Sequence, residues 1–227
     1  MALLNIQLRH GAKINIIFKN KNKNKKMKLN FKIKKKKLPK ILCFVSYYLP
    51  GYKSGGPIKS IYNLTEHLFK NFEFFIVTSD RDLKDKNSYK TVKINQWNKV
   101  GKAKVFYASN SFMIIVGVLK LLRTSKFEVI YLNSFFNLKF TIMPLILWKL
   151  FLKSKIPCIL TPRGEFSYEA LNIKLLKKKF YIFVSNFFGL LNQISWQASC
   201  KNEYKDILKN LSINSKLIKI APDLPKK

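Results

Sequence analysis

Four short segments of the 227-residue chain hold residue types that could do chemistry. In residues 47–57, Gly55 and Gly56 stand directly before Pro57. Backbone without side chains lets N–H groups approach a phosphate, and a helix beginning there adds the positive end of its dipole. The same residues also suit a simple turn that starts a helix, and the fingerprints GxGxxG and GxxxxGK[ST] are absent. Residues 80–82 read Asp-Arg-Asp. Paired carboxylates can hold a divalent cation against a diphosphate, but the intervening Arg81 and nearby lysines favour a solvated, self-paired loop, and no metal site is expected. Asn133, followed by Phe135 and Phe136, could hydrogen-bond a sugar hydroxyl beside two aromatic faces, or cap a helix ahead of core aromatics. Arg163, Gly164 and Glu165, after Thr161-Pro162, combine a guanidinium fork, a flexible backbone and a carboxylate. That set can clamp a phosphate and orient a hydroxyl; alternatively Arg163 and Glu165 form a surface ion pair of little energetic weight.

Each segment follows an apolar run that reads as a strand. Residues 40–46 are continuous and β-rich, the pattern of a strand buried on both faces. After Pro57, apolar residues recur at helical spacing from Ile58 to Phe69. Further strands are predicted over 73–78, 103–107, 129–132, 158–161, 194–197 and 217–220. Helices are predicted over 111–123, 137–152 and 201–211, the last capped by Ser199, with a helix-rich stretch over 170–191. Strands alternating with helices imply right-handed crossovers, hence an α/β, Rossmann-like parallel sheet with helices on both faces. In such sheets ligands bind where the strands end, which is where the four segments lie.

Composition narrows the class. Lys and Arg number 44 against 11 acids, a formal charge of +33, and the first forty residues hold fourteen basic residues and no acid. We therefore expect a basic, disordered tail over 1–39, with the Lys/Asn-rich stretch 19–37 unable to bury itself, and a domain over 40–221. A 48% hydrophobic, 14% aromatic composition excludes a wholly disordered, collagenous or coiled-coil chain. Cys43, Cys158 and Cys200 are scattered, which argues for a reducing compartment and against a structural metal. The short apolar run at 14–18 is too brief for a secretory signal. Residues 140–152 carry Pro144 and Lys149 and fall short of the ~20 residues of a membrane span.

Taken in order, several motifs resemble one family. They are Tyr48-Leu49-Pro50 with Gly55-Gly56-Pro57, Thr78-Ser79-Asp80-Arg81-Asp82-Leu83, Tyr131-Leu132-Asn133-Ser134-Phe135-Phe136, and Thr161-Pro162-Arg163-Gly164-Glu165-Phe166-Ser167. After them come Trp196-Gln197-Ala198-Ser199 with Glu203, and Ile220-Ala221-Pro222-Asp223-Leu224-Pro225. From about Lys40 to Pro225 the chain resembles the N-terminal, acceptor-side half of family 4 glycosyltransferases of the GT-B type. The resemblance implies transfer of a hexosyl group from a nucleotide-sugar donor to an acceptor with retention of anomeric configuration, and no further cofactor. It implies that Gly55 and Gly56 face the donor phosphates, that Asn133 occupies the place of a histidine near the reacting sugar, and that Arg163, Gly164 and Glu165 form the acceptor-side loop. Glu203 matches the acid of the family's Ser-x-x-x-Glu helix start, and also suits simple compensation of a helix dipole.

The departures shape the expectation. The histidines are His10 and His67, neither following the 129–132 strand, and no two glutamates stand eight apart as in the family's donor signature. Residues 222–227 are expected to begin an interdomain linker, and the chain is expected to be inactive without a separate donor-binding C-terminal half. The expected partners are a nucleotide sugar, a glycan or lipid-linked acceptor in cell-surface polysaccharide synthesis, and that second half. The polybasic tail adds an anionic surface at the inner face of the cytoplasmic membrane, since each Lys near such a surface contributes about 1 kcal/mol. The competing reading is a basic nucleic-acid-binding or non-catalytic interaction protein. Charge alone supports the nucleic-acid reading, and no RRM, KH, zinc-finger or helix-turn-helix pattern accompanies it.

Overall fold

The computed structural model describes residues 2–7, 13–18, 38–124, 126–152 and 156–226. Near the start of the chain, β1 (Ala2–Gln7) and β2 (Lys13–Phe18) pair antiparallel, with Ala2 opposite Phe18. This pairing falls within the tail over 1–39 expected to be disordered, and the tail charge gave no sign of it; residues 8–12 and 19–37 of that tail lie outside the described residues. From Lys40 the chain runs β3 (Lys40–Phe44), α1 (Gly56–Leu68), β4 (Glu73–Ser79), β5 (Trp97–Val100), β6 (Ala103–Ala108), α2 (Ser111–Thr124) and β7 (Val129–Asn133). It continues through α3 (Met143–Leu147), β8 (Cys158–Thr161), α4 (Tyr168–Asn172), α5 (Leu175–Phe187), β9 (Ser195–Ala198), α6 (Lys201–Asn210) and β10 (Ile218–Ile220).

Eight of these strands form one sheet in the order β10-β9-β8-β7-β3-β4-β6-β5, parallel except where β5 runs antiparallel to β6. The architecture is α/β and Rossmann-like. Successive side chains of a strand point to opposite faces, and β3 feeds two cores accordingly. Leu42 and Phe44 join Phe75, Leu132, Leu160 and Trp196 under α2, α3 and α6. Ile41 and Cys43 join Ile76, Val105, Tyr131 and Ile159 under α1. That second face has one long helix; the rest of its cover comes from Leu49, Tyr89, Val92 and Ile94 in loops.

Three local features depart from the sequence-based expectation. Strand β5 was not predicted, because Trp-Asn-Lys-Val is short and half polar; it is held by its ladder to β6 and by Trp97 against Phe75 and Phe106. The helix predicted over 137–152 is α-helical only over α3, between π-helical turns at Leu138–Ile142 and Trp148–Leu152. Pro144 has no N–H with which to continue an α register, and wider π turns are a known accommodation at such points. The cap of α6 is Cys200, whose sulfur accepts from the Glu203 N–H at 3.5 Å, while Ser199 is engaged with the Glu203 carboxylate.

After β10 the chain passes over α1. Asn63 Nδ2 donates to the Leu224 carbonyl at 2.9 Å, and the His67 ring lies 3.0 Å from the Pro225 carbonyl, so residues 222–225, expected to begin a linker, lie back across α1. No helix among the described residues is long and apolar enough to cross a membrane.

Candidate functional site

Strand order fixes where a ligand can enter. From β3 the chain first builds outward to β4 and β6, then returns to place β7 on the other side of β3. Loops leaving the carboxyl ends of β3 and β7 therefore diverge, and a crevice opens between them. Here that crevice is a cleft of about 300 Å³, lined by Ser46, Pro57, Asn133, Ser134, Arg163 and Glu165 among others. A second polar cavity of about 330 Å³ lies over the ends of β4 and β6, with Asp80, Asp82 and Asn110 in its walls; Tyr47 belongs to both.

Gly55 and Gly56 stand at the cleft rim, where α1 begins. Gly55 is the N-cap with φ of 60°, a conformation that side-chain-bearing residues adopt at a cost, and no side chain caps the helix. The Gly55 N–H donates to the Tyr52 carbonyl at 3.1 Å and Pro57 has none, so the donors left at the helix start are backbone N–H groups from Gly56 onward, beside a positive dipole end. Space around both glycines is open, with nothing within 4 Å of where a Cβ would stand. Asp82 fixes the loop from below: its carboxylate accepts from the N–H groups of Tyr52 at 2.8 Å, Lys53 at 3.1 Å and Leu83 at 2.8 Å. Burial works to raise the Asp82 pKa, but these donors outweigh it and hold the carboxyl below its ordinary value. The solvated Asp80/Asp82 loop expected from sequence is corrected in one respect. Asp80 does pair with Arg81, at 2.8 and 2.9 Å, yet both aspartates are buried because the loop folds back beneath residues 52–53.

The opposite rim is Arg163–Glu165. Arg163 has φ of 57° and Gly164 of 77°, so the chain makes two left-handed steps after β8. They aim the guanidinium inward, where Nη2 donates to Asn133 Oδ1 at 2.9 Å and to the Tyr131 hydroxyl at 3.2 Å, and Nη1 to Asp223. Only a tenth of the Arg163 side chain is exposed. Burial opposes its charge, but the neighbouring Tyr131 and Asp223 outweigh burial and raise its pKa further. The surface Arg163–Glu165 pair considered from sequence is not formed. Glu165 instead turns toward the end of β7, accepting from Ser134 Oγ at 2.7 Å and from the N–H groups of Phe135 and Phe136.

Asn133, the candidate beside the reacting sugar, sits in the cleft wall with all its polar atoms engaged. Its Nδ2 donates to the Phe44 carbonyl at 3.2 Å and contacts Cys43 Sγ at 3.4 Å, and its Oδ1 takes two bonds from Arg163. It positions the guanidinium. Cys43 beside it is an inert thiol, its pKa pushed up to about 12 by burial although Arg163 and Asn133 work the other way. Glu203 lies one layer below: Oε1 accepts from the Gly164 N–H at 2.7 Å, and Oε2 from the Ser199 N–H and hydroxyl at 2.6 Å each. Gln197 bridges the Tyr131 hydroxyl, at 2.8 Å, to the Ala221 carbonyl, at 2.9 Å.

Sequence reasoning missed Asp223, Asn137 and the anchoring role of Asp82. Asp223 joins Arg163 to Ser60 Oγ, 2.5 Å away on α1. Asn137 holds the two divergent loops together, donating to Ser46 Oγ at 2.8 Å while its Oδ1 caps the π turn at Phe140. These partners lie some 60 to 160 residues apart for Asp223 and 91 for Asn137, so no local spacing could have revealed them. The Asn133, Arg163 and Ser134 donors of the cleft are thus engaged within the protein, its carboxylate Glu165 is tied down by three donors, and open backbone N–H is left at the start of α1. Such an arrangement could bind and orient a phosphate or polyol. Comparison of the chain with protein-family models gives no match, and neither does comparison with curated proteins.

Proposed function

We propose that the chain takes part in moving a sugar from a nucleotide-sugar donor to a lipid-linked glycan acceptor in cell-surface polysaccharide synthesis. On this reading it supplies the acceptor side of a retaining glycosyltransferase of the GT-B type and works at the inner face of the cytoplasmic membrane. The observation that carries the proposal is the β3–β7 crevice. One rim is an uncapped helix start with unobstructed space at Gly55 and Gly56 and an open backbone donor at Gly56, suited to a diphosphate. The other is a rigid loop at Arg163–Glu165, suited to hydroxyl-rich ligands. Asn133 acts through Arg163, and Glu203 through Gly164. Because Glu165 is tied to three donors, proton transfer and the main grip on the donor fall to a donor-binding half acting with this chain.

Binding of a polyprenyl-diphosphate-linked oligosaccharide in detergent, in physiological and in half-molar salt, tests this. Saturable binding that survives the added salt is expected. Absence of glycan binding together with salt-sensitive RNA or DNA binding would overturn the proposal in favour of a nucleic-acid role. Sugar transfer by the purified chain alone would overturn the division of labour between two halves.

A further inference from the structure

The helix α5 has two faces of opposite fate. Tyr181 and Ile182 pack on the central core and Ser185 is fully buried, so the helix is anchored along one side. On the other side Leu176, Phe180, Phe183 and Phe187 are 83%, 69%, 65% and 73% exposed. At ~100° per residue these four fall within about 60° of arc, a continuous apolar stripe along the whole helix. The Phe183 and Phe187 rings stack on each other at 6.1 Å, and Phe188 extends the stripe past the helix end. Isolated exposed apolar residues need no explanation, but an aligned row of this size marks an interaction surface.

We propose that this face of α5 docks the protein on an anionic lipid bilayer, with the Phe stripe entering the acyl boundary and the flanking lysines meeting the headgroups. The charge pattern selects that occupant. Lys177 and Lys179 border the stripe on its two sides, Lys174 precedes it, and α5 contains no acidic residue; the acid on α4 is Glu169. An apolar stripe edged by lysines is the pattern of a helix lying in a membrane interface. A second copy of the chain fits poorly, because pairing would bring together two like-charged lysine borders on chains of formal charge +33. A nucleic acid would answer the lysines while leaving the row of phenylalanines in water. The cleft lies across α5 from the stripe: on the anchored side of the helix, Lys178 donates to the Ala170 carbonyl at 2.5 Å and holds its ammonium 4.9 Å from the ring centre of Phe136, a cleft-lining residue. A docked α5 therefore holds the β3–β7 crevice one helix diameter, roughly 10 Å, from the membrane surface; use of that spacing for a lipid-linked acceptor rests on the proposed function, whereas docking itself does not.

The test uses the full chain and sedimentation with vesicles of phosphatidylcholine, with and without phosphatidylglycerol. Binding to the anionic vesicles is expected, with a fraction persisting in half-molar salt, where attraction through the basic tail is screened. The triple variant Phe180→Ser, Phe183→Ser, Phe187→Ser should weaken binding about tenfold or more while leaving the thermal melt close to that of the parent. A Phe183→Trp variant gives an independent readout, since brominated lipids should quench the new fluorophore. Unchanged vesicle affinity in the triple variant, or no quenching of the tryptophan, would overturn the proposal. So would a concentration-dependent dimer that the triple variant abolishes, with no vesicle binding by the parent. Glycan binding in detergent is scored separately, so vesicle binding without glycan binding leaves the docking face standing and removes the transferase reading.

Discussion

The two rims of the cleft are built on opposite plans. The loop bearing Arg163 is locked: its guanidinium, the Gly164 N–H and the Glu165 carboxylate each meet fixed partners from β7, α6 or the chain after β10. The loop bearing Gly55 and Gly56 is fastened at Tyr52 and Lys53 by Asp82 and at Gly55 by its N–H to the Tyr52 carbonyl, and from Gly56 it presents open backbone at an uncapped helix start. A preorganised rim costs nothing to order when a ligand arrives, while an open rim leaves donors for the ligand itself. The difference separates residues whose loss should be read in stability from those whose loss should be read in binding.

The largest effect is expected on the locked side. Arg163→Met removes the charge that Asp223 and Asn133 enclose and should cost about 3 kcal/mol, the lower end for a broken buried pair because Asp223 can rehydrate. Glu203→Ala strands the Gly164 and Ser199 N–H groups and should cost about 2–3 kcal/mol. Urea unfolding measures both. On the open side Asp82→Asn should cost only about 1 kcal/mol. It should also flatten the acid limb of the stability profile. The folded Asp82 pKa lies below its unfolded value, so its stabilisation is complete above about pH 4 and disappears as pH falls through the lower folded value. Gly56→Ala should change stability by less than about 0.5 kcal/mol, because the residue has ordinary φ and empty surroundings, yet it should weaken diphosphate binding about tenfold by screening the helix start. If Gly56→Ala unfolds the domain, or if Arg163→Met leaves stability untouched, the contrast between the rims is wrong.

The open rim was more legible in the sequence than the locked one, and the reason is distance along the chain. Gly-Gly-Pro is a local signal whose meaning is carried by adjacent residues, and the buried runs at β3, β4, β7 and β8 announce a parallel sheet in the same local way. The locked rim depends on Arg163 finding Asp223, on Glu165 finding the backbone after β7, and on Glu203 finding Gly164, pairings that only the folded sheet creates. Asn133 shows the limit most clearly. Its type and place after a strand suggested contact with a ligand; the fold sets it in the cleft wall and adds bonds to Arg163 and the Phe44 carbonyl that no local spacing shows. The exposed row on α5 was hidden for another reason: periodic Leu and Phe mark a helix face without showing what covers it, and only their solvent exposure shows that nothing among the described residues does.

The central claim is that the β3–β7 crevice is the substrate site, with the α1 start as its phosphate end. An ¹⁵N-resolved titration of the chain with a nucleotide sugar tests it most directly. The account predicts saturable shifts at Gly55, Gly56, Ile58 and Ser134 that persist at physiological salt and vanish in the Gly56→Ala variant. Shifts spread over the lysine-rich surfaces, abolished by salt and absent at Gly55 and Gly56, would contradict it.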